Sequence, residues 1–120
     1  MSYAASAYAK TSRSVMTPRE AESAVLIKAA QRLQMLRDDW ANRTGDLGPA
    51  LNFNQKVWTI LASAVVEEGN PLPADVKQGF TRLAAFVFRH MIETLAEPAP
   101  EKLDALISIN NHVAAGLAGR

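Results

Sequence analysis

Apolar residues recur at three- and four-residue spacing through most of this chain, and Gly and Pro interrupt the pattern at three places. The breaks fall at Gly45 to Pro49, Gly69 to Pro73, and Pro98 to Pro100. That rhythm predicts helices, since one face of a helix returns every 3.6 residues. No Asn-Gly or Asp-Gly pair stands between alternating runs, so hairpins are not indicated. The pattern predicts an all-α fold, a small bundle of four main helices in antiparallel or mixed order. The bundle is expected to occupy residues 17–120 as a single domain. Residues 1–16 are expected to form a flexible or short-helical N-terminal arm.

The first helix opens on Thr17-Pro18-Arg19-Glu20, a capping box with proline at the first helical position. Leu26, Ala29, Leu33, Leu36 and Trp40 then share a stripe, which predicts a helix of about 25 residues that stops before Gly45. The second helix is predicted over Leu51 to Glu68. Its polar side, with Asn52, Gln55, Lys56, Thr59, Ser63 and Glu67, is narrow. Its apolar arc is correspondingly wide, as in a central helix or one with a second buried face. The third helix is predicted from Pro73 to Ala96, with Phe80, Leu83, Ala84, Val87, Phe88, Met91 and Leu95 inward. Gly79 inside it suggests a close helix contact. The fourth begins at Pro100, with a stripe of Leu103, Leu106, Val113 and Leu117 flanked by Ile107 and Ala114. Asn110 interrupts that stripe.

Composition narrows the function classes. Thirteen Lys and Arg face twelve Asp and Glu, a net charge of +1. So even a balance gives no electrostatic case for nucleic acid or an anionic membrane. The densest basic cluster, Lys28, Arg32 and Arg37 with Arg19, is diluted by Glu20, Glu22, Asp38 and Asp39. There is no cysteine, which removes thiol nucleophiles, thiolate zinc sites and disulfides. The longest apolar runs are far short of the about 20 residues that cross a bilayer. With no secretory signal in the first residues, the expectation is a soluble cytoplasmic protein.

Candidate chemistry is sparse. No phosphate-binding glycine loop, nucleophile elbow or paired-histidine metal spacing is present. His90, Glu93 and Glu97 lie along one helix face, but a zinc or di-iron site would need further ligands from facing helices. Asp38 and Asp39 point about 100° apart on a helix and cannot share one proton. The reading is a non-enzyme without metal or cofactor. The informative positions are apolar or neutral. Phe53, Val57, Ile60 and Ala64 form a second stripe beside Leu51, Trp58, Leu61 and Val65. One stripe faces the core; the other either meets a further helix of the bundle or accepts a partner's helix. Asn54 is either a satisfied buried amide or part of an exposed recognition surface. Asn110 either fixes register in the core or, with Asn111, bonds a partner backbone.

Several segments carry a resemblance. They are Ser6-Ala7-Tyr8, Thr17-Pro18-Arg19-Glu20, the stretch from Ala50 to Leu61, Asn70-Pro71-Leu72-Pro73, the stretch from Lys102 to Asn111, and Ala114-Ala115-Gly116-Leu117. The most specific are Asn54-Gln55-Lys56-Val57-Trp58-Thr59 and Leu106-Ile107-Ser108-Ile109-Asn110. In these the chain resembles the FlaF family of bacterial flagellar biosynthesis regulators. The resemblance implies a role in flagellin production and export, opposite the FlbT regulator of flagellin message, with flagellin held as by a secretion chaperone. On that footing a flagellin helix is expected in a groove involving the second and fourth helices, against Phe53, Asn54, Val57 and Ile60, with Asn110 and Asn111 as polar anchors. The alternative is a post-transcriptional regulator of flagellin mRNA, acting directly or through FlbT. A third reading is a structural bundle that forms a homo-oligomer through its spare stripe.

Overall fold

The computed structural model describes residues 17–119. The expected N-terminal arm, with Tyr3 and Tyr8, lies outside the described residues. The helices are α1 (Pro18–Asp38), the one-turn α2 (Trp40–Arg43), α3 (Leu47–Val66), α4 (Ala74–Ala96) and α5 (Leu103–Leu117). Short 3-10 turns at Thr44–Asp46 and Pro100–Lys102 lead into α3 and α5. Among the described residues there is no strand, and the fold is the all-α bundle that the periodicity predicts.

Local chemistry sets the helix ends. The Thr17 backbone is extended, and its hydroxyl accepts the Glu20 N–H at 3.1 Å. Such a cap stabilises a helix by about 1 kcal/mol. The first helix does not run unbroken toward Gly45 as expected: Asp39 leaves the helical region at φ −128°, ψ 41°. The Asp39 carboxylate accepts from Asn42 Nδ2 at 2.7 Å and from Arg43 Nε at 3.3 Å. A short acidic side chain bonding a few residues along competes with continued helix. Trp40 is consequently half-buried rather than an extension of the α1 stripe.

The second predicted helix is α3, and it starts earlier than Leu51. Gly48 and Pro49 stand in its first turn, where the missing proline N–H has no helical partner to lose. Leu47 and Ala50 are buried and anchor that turn. At the far end Gly69 takes φ +88°, a conformation that costs glycine nothing. Asn70 closes the helix: its Nδ2 donates to the Ala64 carbonyl at 2.9 Å, and its Oδ1 accepts the Leu72 N–H at 3.0 Å. One amide thus satisfies an orphan carbonyl and turns the chain toward α4.

The contacts fix the helix directions. Ser23 near the start of α1 donates to the Ala114 carbonyl near the end of α5 at 2.7 Å. Arg37 at the other end of α1 pairs with Asp104 at the start of α5. The two helices are therefore antiparallel. Along α3, Phe53 lies against Lys28 and Arg32 of α1, and Ile60 lies beside Val25. On its other side Asn54 meets Met91, and Trp58 stacks on Phe80 with centroids 5.4 Å apart. So α3 runs antiparallel to both α1 and α4 and occupies the centre. Its wide apolar arc is explained by having α1 and α4 on two sides and α5 meeting it at Trp58 and Asn54. Leu26, Leu33, Trp58, Val87, Leu103 and Leu106 are fully buried at the heart of the core. Each buried aliphatic side chain contributes roughly 1.5–3 kcal/mol before entropy is counted.

Two details of the core differ from the pattern. In α4 the inward face is Ala84, Val87, Met91 and Thr94, while Leu95 is 53% exposed. Thr94 tolerates burial because its hydroxyl donates to the His90 carbonyl of its own helix at 2.7 Å. Gly79 marks no close contact, since a Cβ built there would meet nothing within 4 Å. In α5 the buried face is Leu103, Leu106, Ile107, Asn110 and Ala114, so Ile107 and Ala114 sit at the seam, not on its flank.

Candidate partner-binding trough

The expected contact residues divide into two groups. Asn54 and Asn110 have no exposed surface, and Val57 is buried. Trp58 Nε1 donates to Asn110 Oδ1 at 2.9 Å, Asn110 Nδ2 donates to Asn54 Oδ1 at 2.7 Å, and Asn54 Nδ2 reaches Met91 Sδ at 3.3 Å. These bonds tie α3, α5 and α4 together inside the core. Among the described residues no buried side-chain nitrogen or oxygen lacks a partner. Asn54 and Asn110 are thus removed from the expected contact surface, while Val57 reaches only the floor of a cleft. The amides serve the buried alternatives, because each finds its polar partner across the helix seams.

Phe53 is half-buried, with the Lys28 ammonium 6.0 Å and the Arg32 guanidinium 5.4 Å from its ring centroid. Asn111 is exposed on α5. Ile60 is 65% exposed. It lines a cleft of about 150 Å³ with Val25, Val57 and Leu61, where Val25 is itself 39% exposed. That cleft shares Glu22 and Leu61 with a larger groove of about 560 Å³. Leu61, Ala64, Val65, Leu72, Phe80 and Leu117 form the larger groove's apolar wall, and Thr17, Pro18 and Arg19 stand at its mouth. The two adjoin at Glu22 and Leu61 to form a trough in two parts along the α1–α3 seam, the larger part lying where the α3–α4 turn and the end of α5 converge.

Glu22, Glu67 and Glu68 give this trough an acidic edge. Burial pushes the Glu22 carboxyl above its ordinary value, and nearby Arg19 only partly offsets that. Apart from Arg19, the basic side chains of α1 are engaged elsewhere. Lys28 and Arg32 lie over Phe53, and Arg37 grips Asp104, whose carboxyl is held low by that hydrogen bond. His90 donates from Nε2 to the Lys102 carbonyl at 2.6 Å and stacks on Phe86. No cluster of three or more His, Cys, Asp or Glu among the described residues could hold a metal ion. None of the described helices is long and apolar enough to cross a membrane.

The periodicity did not single out Val25, Leu72, Phe80 or Leu117 as trough residues. The available signal was Val25, an apolar residue beside Leu26 and off the main stripe of α1. Phe80 and Leu117 read as ordinary core because a groove wall and a core wall share one sequence pattern. A separate cleft of about 300 Å³ lies between the start of α3 and the end of α4, where Ile92 and Leu95 are exposed.

Comparison with known proteins gives one result about kinship. No curated protein and no solved structure matches the chain. The sequence pattern of the family described as flagellar protein FlaF matches residues 4–117, nearly the whole length. With the resemblance in the α3 and α5 stretches now matched across the bundle, the chain belongs to the FlaF family of flagellar proteins.

Proposed function

We propose that this protein is a non-catalytic chaperone and regulator of flagellar assembly that binds flagellin in the cytoplasm before export. Its trough takes an amphipathic helix of flagellin, whose terminal segments are helix-forming and aggregation-prone until polymerised. The observation that carries this reading is the exposure of Ile60 and Val25 beside a cleft that adjoins the larger groove walled by Leu61, Val65, Phe80 and Leu117. A helix laid there would bury side chains that the bundle leaves uncovered, the usual mode of helix-in-groove recognition. The pairing of Arg37 with Asp104 and a net charge of only +1 favour this over direct binding of flagellin mRNA, which calls for a surplus of unneutralised cations. FlbT enters as a further partner through the family resemblance.

The test is capture of soluble flagellin by the purified protein, followed by calorimetry. Ile60→Asp with Val25→Asp is expected to abolish binding while far-UV circular dichroism stays unchanged. Both positions are exposed, so neither charge enters the core. Undiminished binding by this folded variant would remove the trough from the mechanism. Binding that weakens steeply with salt would point instead to phosphate contacts.

A further inference from the structure

The larger groove opens where the described chain begins. Thr17 and Pro18 form its mouth, and the sixteen residues before them hold a sequence suited to its walls. That segment carries Tyr3 and Tyr8, the only tyrosines of the protein, among Ala4, Ala5, Ala7 and Ala9. It also carries Lys10 and Arg13 and no acidic residue. The groove offers the complement: an apolar wall including Leu61, Val65, Leu72 and Phe80, with Glu22, Glu67 and Glu68 lining it against the single cation Arg19. The family pattern covers the segment from residue 4 onward, so it belongs to what the family shares. Reach is ample, since an extended chain spans ~3.3 Å per residue and Tyr8 is within ~30 Å of Thr17.

We propose that the protein's own residues 3–13 are the resident occupant of this groove, with Tyr8 against the apolar wall and Lys10 and Arg13 toward Glu67 and Glu68. The aromatic rings supply large apolar area at small rotamer cost, and their hydroxyls can stay at the wet edge. The opposite charges at the rim orient the segment and disfavour the reverse direction. An occupant tethered through Thr17 is present at high effective concentration, so modest contacts suffice to hold it. Any client helix using this end of the trough must first displace it. Occupancy by the segment does not require the flagellin reading to be correct.

The full-length protein provides its own test because it has no cysteine. Ser6→Cys carries a nitroxide label, and amide intensities are read by NMR against the reduced label. Ala64, Leu72 and Leu117 are expected to lose most of their intensity, while Arg43 and Asp46 at the other end of α1 keep theirs. Tyr8→Ala, or Glu67→Lys with Glu68→Lys, is expected to restore much of the lost intensity. Even intensities throughout the unsubstituted background would overturn the proposal. So would the same losses in a mixture of labelled, isotope-free protein with unlabelled, isotope-enriched protein, which would assign the groove to a second copy. Adding soluble flagellin separates the two proposals. Losses that are relieved by flagellin support displacement. Losses seen without any flagellin binding would leave the segment in the groove and remove the chaperone reading.

Discussion

Trp58 and Asn110 meet across the α3–α5 seam through a 2.9 Å hydrogen bond in which both partners are wholly buried. Among the described residues the indole N–H has no other acceptor, and the same Asn110 amide donates onward to Asn54. A polar pair at the crossing of two helices selects one alignment, because any slip leaves a buried donor without a partner. Asn110→Ala would orphan the Trp58 N–H and the Asn54 carbonyl. It is expected to cost roughly 2–4 kcal/mol, since each stranded group carries its full desolvation penalty. Trp58→Phe should cost less in that background than in the natural protein, because the donor it removes is already stranded, although both pay for the core volume lost. A double-mutant cycle by urea denaturation is expected to give a coupling of roughly 1–2 kcal/mol. Additive effects would show that the bond is not energetically coupled.

The Arg37–Asp104 pair joins the end of α1 to the start of α5 by two parallel contacts, with Nη2 to Oδ2 at 3.2 Å. The hydrogen bond from Arg37 lowers the Asp104 carboxyl below its ordinary value. Its contribution is therefore present above the ordinary aspartate range and is lost as pH falls through the lowered value. Asp104→Asn is expected to be less stable than the natural protein at neutral pH and to match it in strong acid. The pair is exposed, so added salt should narrow the neutral-pH difference. Denaturation at several pH and salt values checks both effects.

Glu22 behaves in the opposite sense. Burial at the trough raises its carboxyl, with Arg19 opposing. A raised acid contributes stability below its ordinary value, and that contribution disappears as pH rises through the folded value. Glu22→Gln is expected to melt slightly higher than the natural protein at neutral pH, with the advantage vanishing in acid. Thermal melts across that range test it. Arg19→Gln should accentuate the Glu22 effect by removing the offsetting cation.

Two glycines should respond oppositely to alanine. Gly79 lies within α4, and its added methyl would meet open space. Gly79→Ala is expected to stabilise by about 0.5–1 kcal/mol through helix propensity and a less flexible unfolded chain. Gly69 has φ +88°. Gly69→Ala should destabilise by about 1 kcal/mol, because a Cβ is strained in that conformation. Chemical denaturation of the two variants measures both signs.

The helices themselves were legible because their signals are local. Thr17-Pro18-Arg19-Glu20 specifies a start through groups within one turn, and the hydroxyl half of the predicted box, Glu20 N–H to Thr17 Oγ1, forms. The Asp39 break was not legible, because the same acidic residue continues a helix or interrupts it according to its neighbours. Thr94 and Leu95 show the other limit. Hydropathy ranks leucine for the core, yet position 94 faces inward and its hydroxyl finds a carbonyl on its own helix. Of the candidate contacts, Ile60 emerged on a surface, whereas Val57 and the two amides went inside. Adjacent apolar stripes on α3 could not be ranked until α1 and α4 took their places.

Periodicity, proline and glycine punctuation, and the capping motif determined that residues 17–119 fold as four long helices, because each of those signals acts within a few residues. The tertiary structure alone decided which apolar stripe is sealed, which amides pair across the seams, and where a trough is left open. Those outcomes depend on which helices lie side by side. Burial belongs to the pair of surfaces in contact and not to either sequence segment by itself.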